Sequence, residues 1–315
     1  MSINKKACTI SATPCGGQTI LFKNRDRNYD PDIKVFHDRH NGVEILYFQD
    51  IDTGWIEGVN EFGISLVNSA LMVLDDEKDR PSKKKDDEFD EEGLQNLARI
   101  LARDSYKDGN LMLDILSSTT VEEAVKKAST NKGVLGHNII SDGRKTYGVE
   151  RTLKGVLEGE EGDLHVKKLR PDLTHVRTNH GIWNPSTGYQ YGENRASSLE
   201  RKRRAQNLLR GIDRAEDIGP CIYRDRLRNP NDPFNVSRIS NLYTSSHAVF
   251  DPLNKKMYLY LFPDCCGYAG FEKRFTGPSV CSFEIYRYGH GDENGDFELQ
   301  EIRVNPSRVA SRYRR

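Results

Sequence analysis

The residues most able to do chemistry are Cys8, followed by Thr9, and Asp26, eighteen positions later in Lys23-Asn24-Arg25-Asp26. Cys8 opens a short apolar run, and Asp26 lies just past the run 18–23 that returns after Gly16-Gly17, so a hairpin would bring the two together. A cysteine thiol ordinarily titrates near ~8.5 and an α-amino group near ~7.7–8.0. A cysteine freed as the first residue of a chain therefore carries its own base a few bonds from its sulfur and needs no histidine. The amine does need an acceptor to orient it, and Asp26 on the returning strand supplies one. Attack of such a thiol on an amide carbonyl builds an oxyanion. Uncharged Asn side chains suit it as donors, and losing one such donor typically costs about 10²–10³ in rate.

Other residues offer competing chemistry. Cys15 is a second thiol on the same hairpin, but its distance from Asp26 breaks the pattern, and beside Gly16-Gly17 it fits the turn. A Cys-His pair using His180 or His247 lacks supporting sequence around any cysteine. His37 and His40 stand three apart without a matching Cys or carboxylate signature, so no metal and no cofactor is expected. Asn60 and Gly63 read as turn residues, and Glu150 reads equally as structural or functional. The adjacent Cys265 and Cys266 read as structural.

These groups must be positioned by a sizeable fold. The 315 residues are 36% hydrophobic, enough for a large core, and 47 basic residues balance 47 acidic ones. No net field favours nucleic acid or an anionic membrane, and the expected partner is a small molecule. The cluster Arg201-Lys-Arg-Arg204 lacks interleaved aromatic residues and reads as a solvated helix face. No apolar run reaches the roughly 18 residues of a membrane span, and the expected location is cytoplasmic. Six irregularly spaced cysteines in so long a chain do not suggest a disulfide framework.

Strand-like runs at 8–13, 18–23, 43–49 and 62–69 give way to a charged stretch at 74–93, expected to be a solvated loop. Leu94, Leu97, Ala98, Leu101 and Ala102 follow at helical spacing, and 111–116 continues the helical pattern. Thr120 and Glu123 mark a capping box before another helix. Strands are expected again at 134–141 and 145–150, around an Asp142-Gly143 turn, and at 173–178. A basic helix is expected from Ser197 to Arg210, stopped by Gly211, with strands at 243–250, 256–262 and 297–304. Strand blocks alternating with helical blocks indicate an α+β layered domain rather than a doubly wound parallel sheet.

The Cys-Thr strand start with Asn24-Arg25-Asp26 on the returning strand resembles the choloylglycine hydrolase and isopenicillin N acyltransferase group of N-terminal-nucleophile (Ntn) enzymes. Four further blocks agree in order: Gly58-Val-Asn60-Glu61-Phe-Gly63 through Asn68; Gly136-His-Asn-Ile-Ile-Ser-Asp142-Gly143 to Glu150; Thr178-Asn179-His180; and Ser197-Ser198-Leu-Glu-Arg201. The resemblance implies an αββα sandwich of two antiparallel sheets between helical layers, formed as a single domain over 8–315 after a propeptide, 1–7, is removed. It also implies cleavage of a non-peptide linear amide through a thioester. Water or an amine is the acceptor, giving a hydrolase or an acyltransferase; a scaffold that never frees Cys8 would instead be a binding protein. Asn179 becomes the main oxyanion donor, with Asn68 assisting through its side chain or neighbouring backbone, and Arg201 is the arginine beside the thiol. Asn24 and Arg25 fall on the substrate side. The sequence departs from the bile-salt-hydrolysing branch at Lys23, where that branch has arginine. Seven residues precede Cys8, so the chemistry requires cutting the Ala7–Cys8 bond. Oligomeric state, including a homo-oligomer, stays open.

Overall fold

The computed structural model describes residues 6–27, 31–71, 109–130, 134–152, 163–190, 192–222, 243–261, 267–274, 280–288 and 299–301. The charged stretch at 74–93, the stripe from Leu94 to Ala102, residues 1–5 and the Cys265-Cys266 pair lie outside these. In chain order the strands begin with β1 (Lys6–Cys15), β2 (Gln18–Arg27), β3 (Asp32–His40), β4 (Val43–Asp50), β5 (Ile56–Asn60) and β6 (Ser65–Ser69). Helical residues 109–116 (α1) and α2 (Val121–Thr130) follow, then β7 (Gly136–Ser141), β8 (Thr146–Arg151), β9 (Leu164–Lys168) and β10 (His175–Arg177). The last part holds α3 (Gly192–Leu208), β11 (Tyr243–Asp251), β12 (Lys256–Leu261), β13 (Gly267–Lys273), β14 (Ser282–Tyr288) and β15 (Leu299–Glu301).

Two sheets result, one ordered β10-β1-β2-β11-β12-β14-β15 and the other β13-β3-β4-β5-β6-β7-β8-β9. Three apolar clusters define four layers. Ile10, Ala12 and Leu21 from the first sheet meet Ile33, Val35, Leu46 and Phe48 from the second, filling the space between sheets. Alternate residues Ile20 and Phe22 turn to the opposite face and pack with Ala205 and Leu209 at the end of α3. On the far side of the second sheet, Ile45, Tyr47 and Leu66 pack with Met112, Ile115 and Leu116 of α1 and with Val121, Ala124 and Ala128 of α2. The architecture is the expected α+β sandwich, helix-sheet-sheet-helix, with two departures from pure antiparallel pairing: β12 runs parallel to β14, and β3 parallel to β13.

Local chemistry explains the boundaries. The Glu123 N–H donates to Thr120 Oγ1 at 3.2 Å, but the Glu123 carboxylate reaches back to the Thr119 N–H at 2.9 Å, shifting the box by one residue. Asn60 anchors its turn as expected, its Oδ1 accepting the Phe62 and Ile64 N–H groups while its amide donates to Leu116 and Ser118 carbonyls. The basic helix starts earlier than expected, at Gly192. Among the described residues no helix is long and apolar enough to cross a membrane.

Candidate active site

The β1–β2 hairpin turns through Gly16 and Gly17, both at positive φ (56° and 81°), as a tight two-residue hairpin turn requires. The register then sets Cys8 opposite Arg25, Ala7 opposite Asp26 and Thr9 opposite Asn24. Paired residues share a face, so Cys8, Lys23 and Arg25 point between the sheets, while Asn24 and Asp26 point towards α3.

Between the sheets lies a buried ion network. Lys23 pairs with Glu57 at 2.6 Å and also donates to the Asn68 carbonyl. Arg25 pairs with Asp50 at 3.2 Å and with Glu57, its guanidinium 5.2 Å from the centre of the Phe48 ring. Arg27 Nε lies 3.6 Å from Asp50, and its Nη1 donates to the Asp26 carbonyl at 2.7 Å and to Cys8 Sγ at 3.4 Å. Burial alone would raise the Cys8 pKa, but Lys23, Arg27 and Arg25 together outweigh it and hold the thiol below its ordinary value. Glu57 behaves likewise: burial opposes its charge, yet Arg25 and Lys23 draw its pKa down.

The backbone of Cys8 is held from the other side. Its N–H donates to Asn179 Oδ1 at 3.1 Å, and its carbonyl accepts from Arg201 Nη1 at 2.8 Å. Arg201 Nη2 also donates to Asn179 Oδ1, at 2.9 Å, so two donors fix the amide's orientation. The Asn179 NH₂ donates to the Ala70 carbonyl at 2.8 Å and to Ser69 Oγ at 3.4 Å. Gly188 makes this loop possible: a Cβ there would sit 2.2 Å from the Asn179 carbonyl, which accepts the Tyr189 N–H at 2.8 Å. Ser198 Oγ accepts the Asn179 N–H at 3.0 Å. Asp26 Oδ1 accepts from Asn24 at 2.7 Å and Thr244 at 2.8 Å, while the buried Oδ2 has no hydrogen-bond partner among the described residues. Burial raises the Asp26 pKa despite Arg201 and those two hydrogen bonds.

Cys8, Asp26, Asn179 and Arg201 thus converge, with Asn24 beside Asp26. Three expectations change in detail. Arg201 grips the Cys8 carbonyl, and the arginine on the sulfur is Arg27. The Asn68 side chain donates to Asn138 Oδ1 at 2.7 Å and to the Leu135 carbonyl at 3.1 Å; it is the neighbouring Ser69 whose hydroxyl meets the Cys8 carbonyl, at 3.5 Å. Arg25, expected on the substrate side, is fully buried and committed to Asp50 and Glu57, a strut behind the sulfur. Of the two histidines weighed as bases, His180 Nδ1 meets Ser198 Oγ at 2.8 Å and Thr178 Oγ1 at 3.0 Å. His247 pairs with Asn24, on the face away from the sulfur. Glu150 is structural: its carboxylate accepts the N–H groups of Ile182, Trp183 and Asn184 at 2.8–3.1 Å and fixes the loop after Asn179. Arg27 left a readable signal, since Lys23, Arg25 and Arg27 alternate along one strand face. Glu57, Asp50 and Thr244 left none, because they reach the hairpin from other strands.

No family model matches the chain, and no curated protein matches it. Among solved structures, a mutant conjugated bile acid hydrolase from Clostridium perfringens aligns over 95% of this chain and 97% of its own, with 15% identity and a TM-score of 0.39.

Proposed function

We propose that the chain is a cysteine Ntn hydrolase that cleaves a non-peptide linear amide, after Cys8 is exposed by cutting the Ala7–Cys8 bond. The observation that carries this reading is the treatment of Cys8: its nitrogen, carbonyl oxygen and sulfur are each held by a different group, Asn179, Arg201 and Arg27. A cysteine that merely filled a core would need none of these.

In the first reaction the Cys8 sulfur attacks the Ala7 carbonyl carbon, and the amide nitrogen leaves as the new α-amine, giving a thioester. Water then cleaves the thioester, releasing Ala7 with a free carboxylate and restoring the thiol. The freed ammonium is accepted by Asn179 Oδ1 and by the unpartnered Oδ2 of Asp26. In the neutral form that amine takes the thiol proton, the sulfur attacks the substrate carbonyl, and the proton passes to the leaving amine. Asn179 serves as oxyanion donor by exchanging its longer bond, the 3.4 Å one to Ser69, for the substrate oxygen. An amine replacing water at the thioester gives an acyltransferase from the same site. The substrate class is a small acyl amide.

Intact mass and N-terminal sequencing of purified protein test the first step, and a screen of N-acyl amides on the matured protein tests the second. A chain beginning at Cys8 that hydrolyses an acyl amide supports the reading. A stable chain that keeps residues 1–7 and resists thiol labelling at Cys8 overturns it in favour of a non-catalytic binding protein.

A further inference from the structure

The opposite end of the sandwich holds a second group of reactive side chains. His37 on β3, Glu44 on β4 and Cys281, just before β14, each bring one ligand atom within 4.8 Å of the others, and all three are buried. Glu44 lies six positions before Asp50 on β4, about 20 Å at the rise of a strand, so this group is remote from Cys8. His37 and Glu44 belong to the second sheet, whereas Cys281 leads into the first.

Glu44 is the residue that asks for an explanation. A buried carboxylate needs a cation or several donors. Its Oε1 meets the His37 Nε2 and accepts the Val280 N–H at 3.1 Å, and among the described residues no lysine or arginine pairs with it. A second carboxylate stands beside it, Glu61, whose Oε1 accepts the Glu44 N–H at 2.9 Å. The Cys281 sulfur has a long contact, 4.0 Å, to the Val59 carbonyl.

We propose that His37 Nε2, the Glu44 carboxylate and the Cys281 sulfur form a zinc site that ties the two sheets together at the end remote from Cys8. A mixed nitrogen, oxygen and sulfur set suits zinc, while the thiolate disfavours magnesium and calcium. Zinc takes four ligands, so water or Glu61 completes the set. The ion supplies the positive charge that no described lysine or arginine gives Glu44 and replaces the direct His37–Glu44 hydrogen bond with two metal bonds. The Val280 N–H stays on the carboxylate as an orienting contact. Val280 itself is 46% exposed, so the buried sulfur is one residue along the chain from an exposed position. The spacing hid the site in the sequence, because the sulfur lies over two hundred residues from its partners.

The test is metal binding by the full-length protein after chelator treatment, with Zn²⁺ and Co²⁺ as probes. One zinc per chain, a rise in thermal midpoint with zinc, and a thiolate-to-cobalt charge-transfer band are expected. Cys281→Ser should remove the band and His37→Gln should weaken zinc binding by more than the 10–100-fold typical of outer-shell changes. Cys8→Ala should leave the band intact, which separates this site from the chemistry at Cys8. If Cys281→Ser does not fold, the wild-type cobalt spectrum and His37→Gln still decide. Absence of zinc above background, a cobalt complex without thiolate absorption, or binding unchanged in His37→Gln overturns the proposal.

Discussion

Cys8 and Cys15 stand at opposite ends of one strand, both buried, and their surroundings act on them in opposite ways. Cys8 faces between the sheets among Lys23, Arg27 and Arg25, and its pKa is lowered against the pull of burial. Cys15, an odd number of residues away, faces the α3 side. Burial pushes its thiol up to about 11, and Asp251, Asp213, Glu216 and Asp217 add to the rise. Strand periodicity alone separates the two environments, because every second side chain changes face. Burial therefore does not decide which way a thiol's pKa moves; the sign of the neighbouring charge does.

The largest expected effect is the most direct test of that contrast. Cys8→Ala should abolish both release of residues 1–7 and acyl-amide hydrolysis, while Cys15→Ala leaves both in place, as read by intact mass and a hydrolysis assay; equal losses would erase the distinction. Next, Glu57→Gln should cost about 3–5 kcal/mol in urea unfolding, because it strands the buried charge of Lys23 and leaves Arg25 with Asp50 alone. Glu216→Gln, among the acids near Cys15 but at the surface, should stay within about 0.5 kcal/mol. A mild Glu57 variant would mean that the network does not hold the positive charge in place. Arg27→Met should then move the pH midpoint of Cys8 alkylation upward and slow labelling at neutral pH, with Cys15 unaffected.

The smallest effect concerns two histidines near Asn179. Burial, reinforced by Arg177, holds His137 neutral down to about 3, and burial with Lys202, Arg195 and Arg201 holds His180 neutral down to about 4. An unfolded histidine binds a proton near 6.5, so these groups cost nothing above that pH and destabilise the fold progressively as pH falls towards 4 and 3. His137→Asn should flatten the drop in melting temperature between neutral pH and pH 5. An unchanged slope would place the acid sensitivity elsewhere.

Much of this site was legible in the sequence because it is local. The hairpin, its turn and the pairing of Cys8 with the segment ending at Asp26 follow from apolar runs and two glycines. The helix ending before Gly211, at φ 78°, was marked by the residue that stops it. What could not be read were contacts between layers. Asp50 and Glu57 reach Arg25 across the space between the sheets, and Arg201 chooses the carbonyl over the thiol because of where α3 crosses β1. Strands β3 and β14 were missed for a related reason: the charged residues of Asp32–His40 and Ser282–Tyr288 blur the alternation that marks a half-buried strand.

The order of strands in the first sheet has a consequence for timing. β1 and β2 lie between β10 and β11, and the residues that grip Cys8 and Asp26 include Arg201 and Thr244, both made long after the hairpin. A nascent chain that stops short of Thr244 contains Cys8 but not the full set of groups that surround Cys8 and Asp26. On the proposed function, self-cutting at Cys8 would have to wait until Arg201 and Thr244 are translated and docked, so topology itself would set its timing.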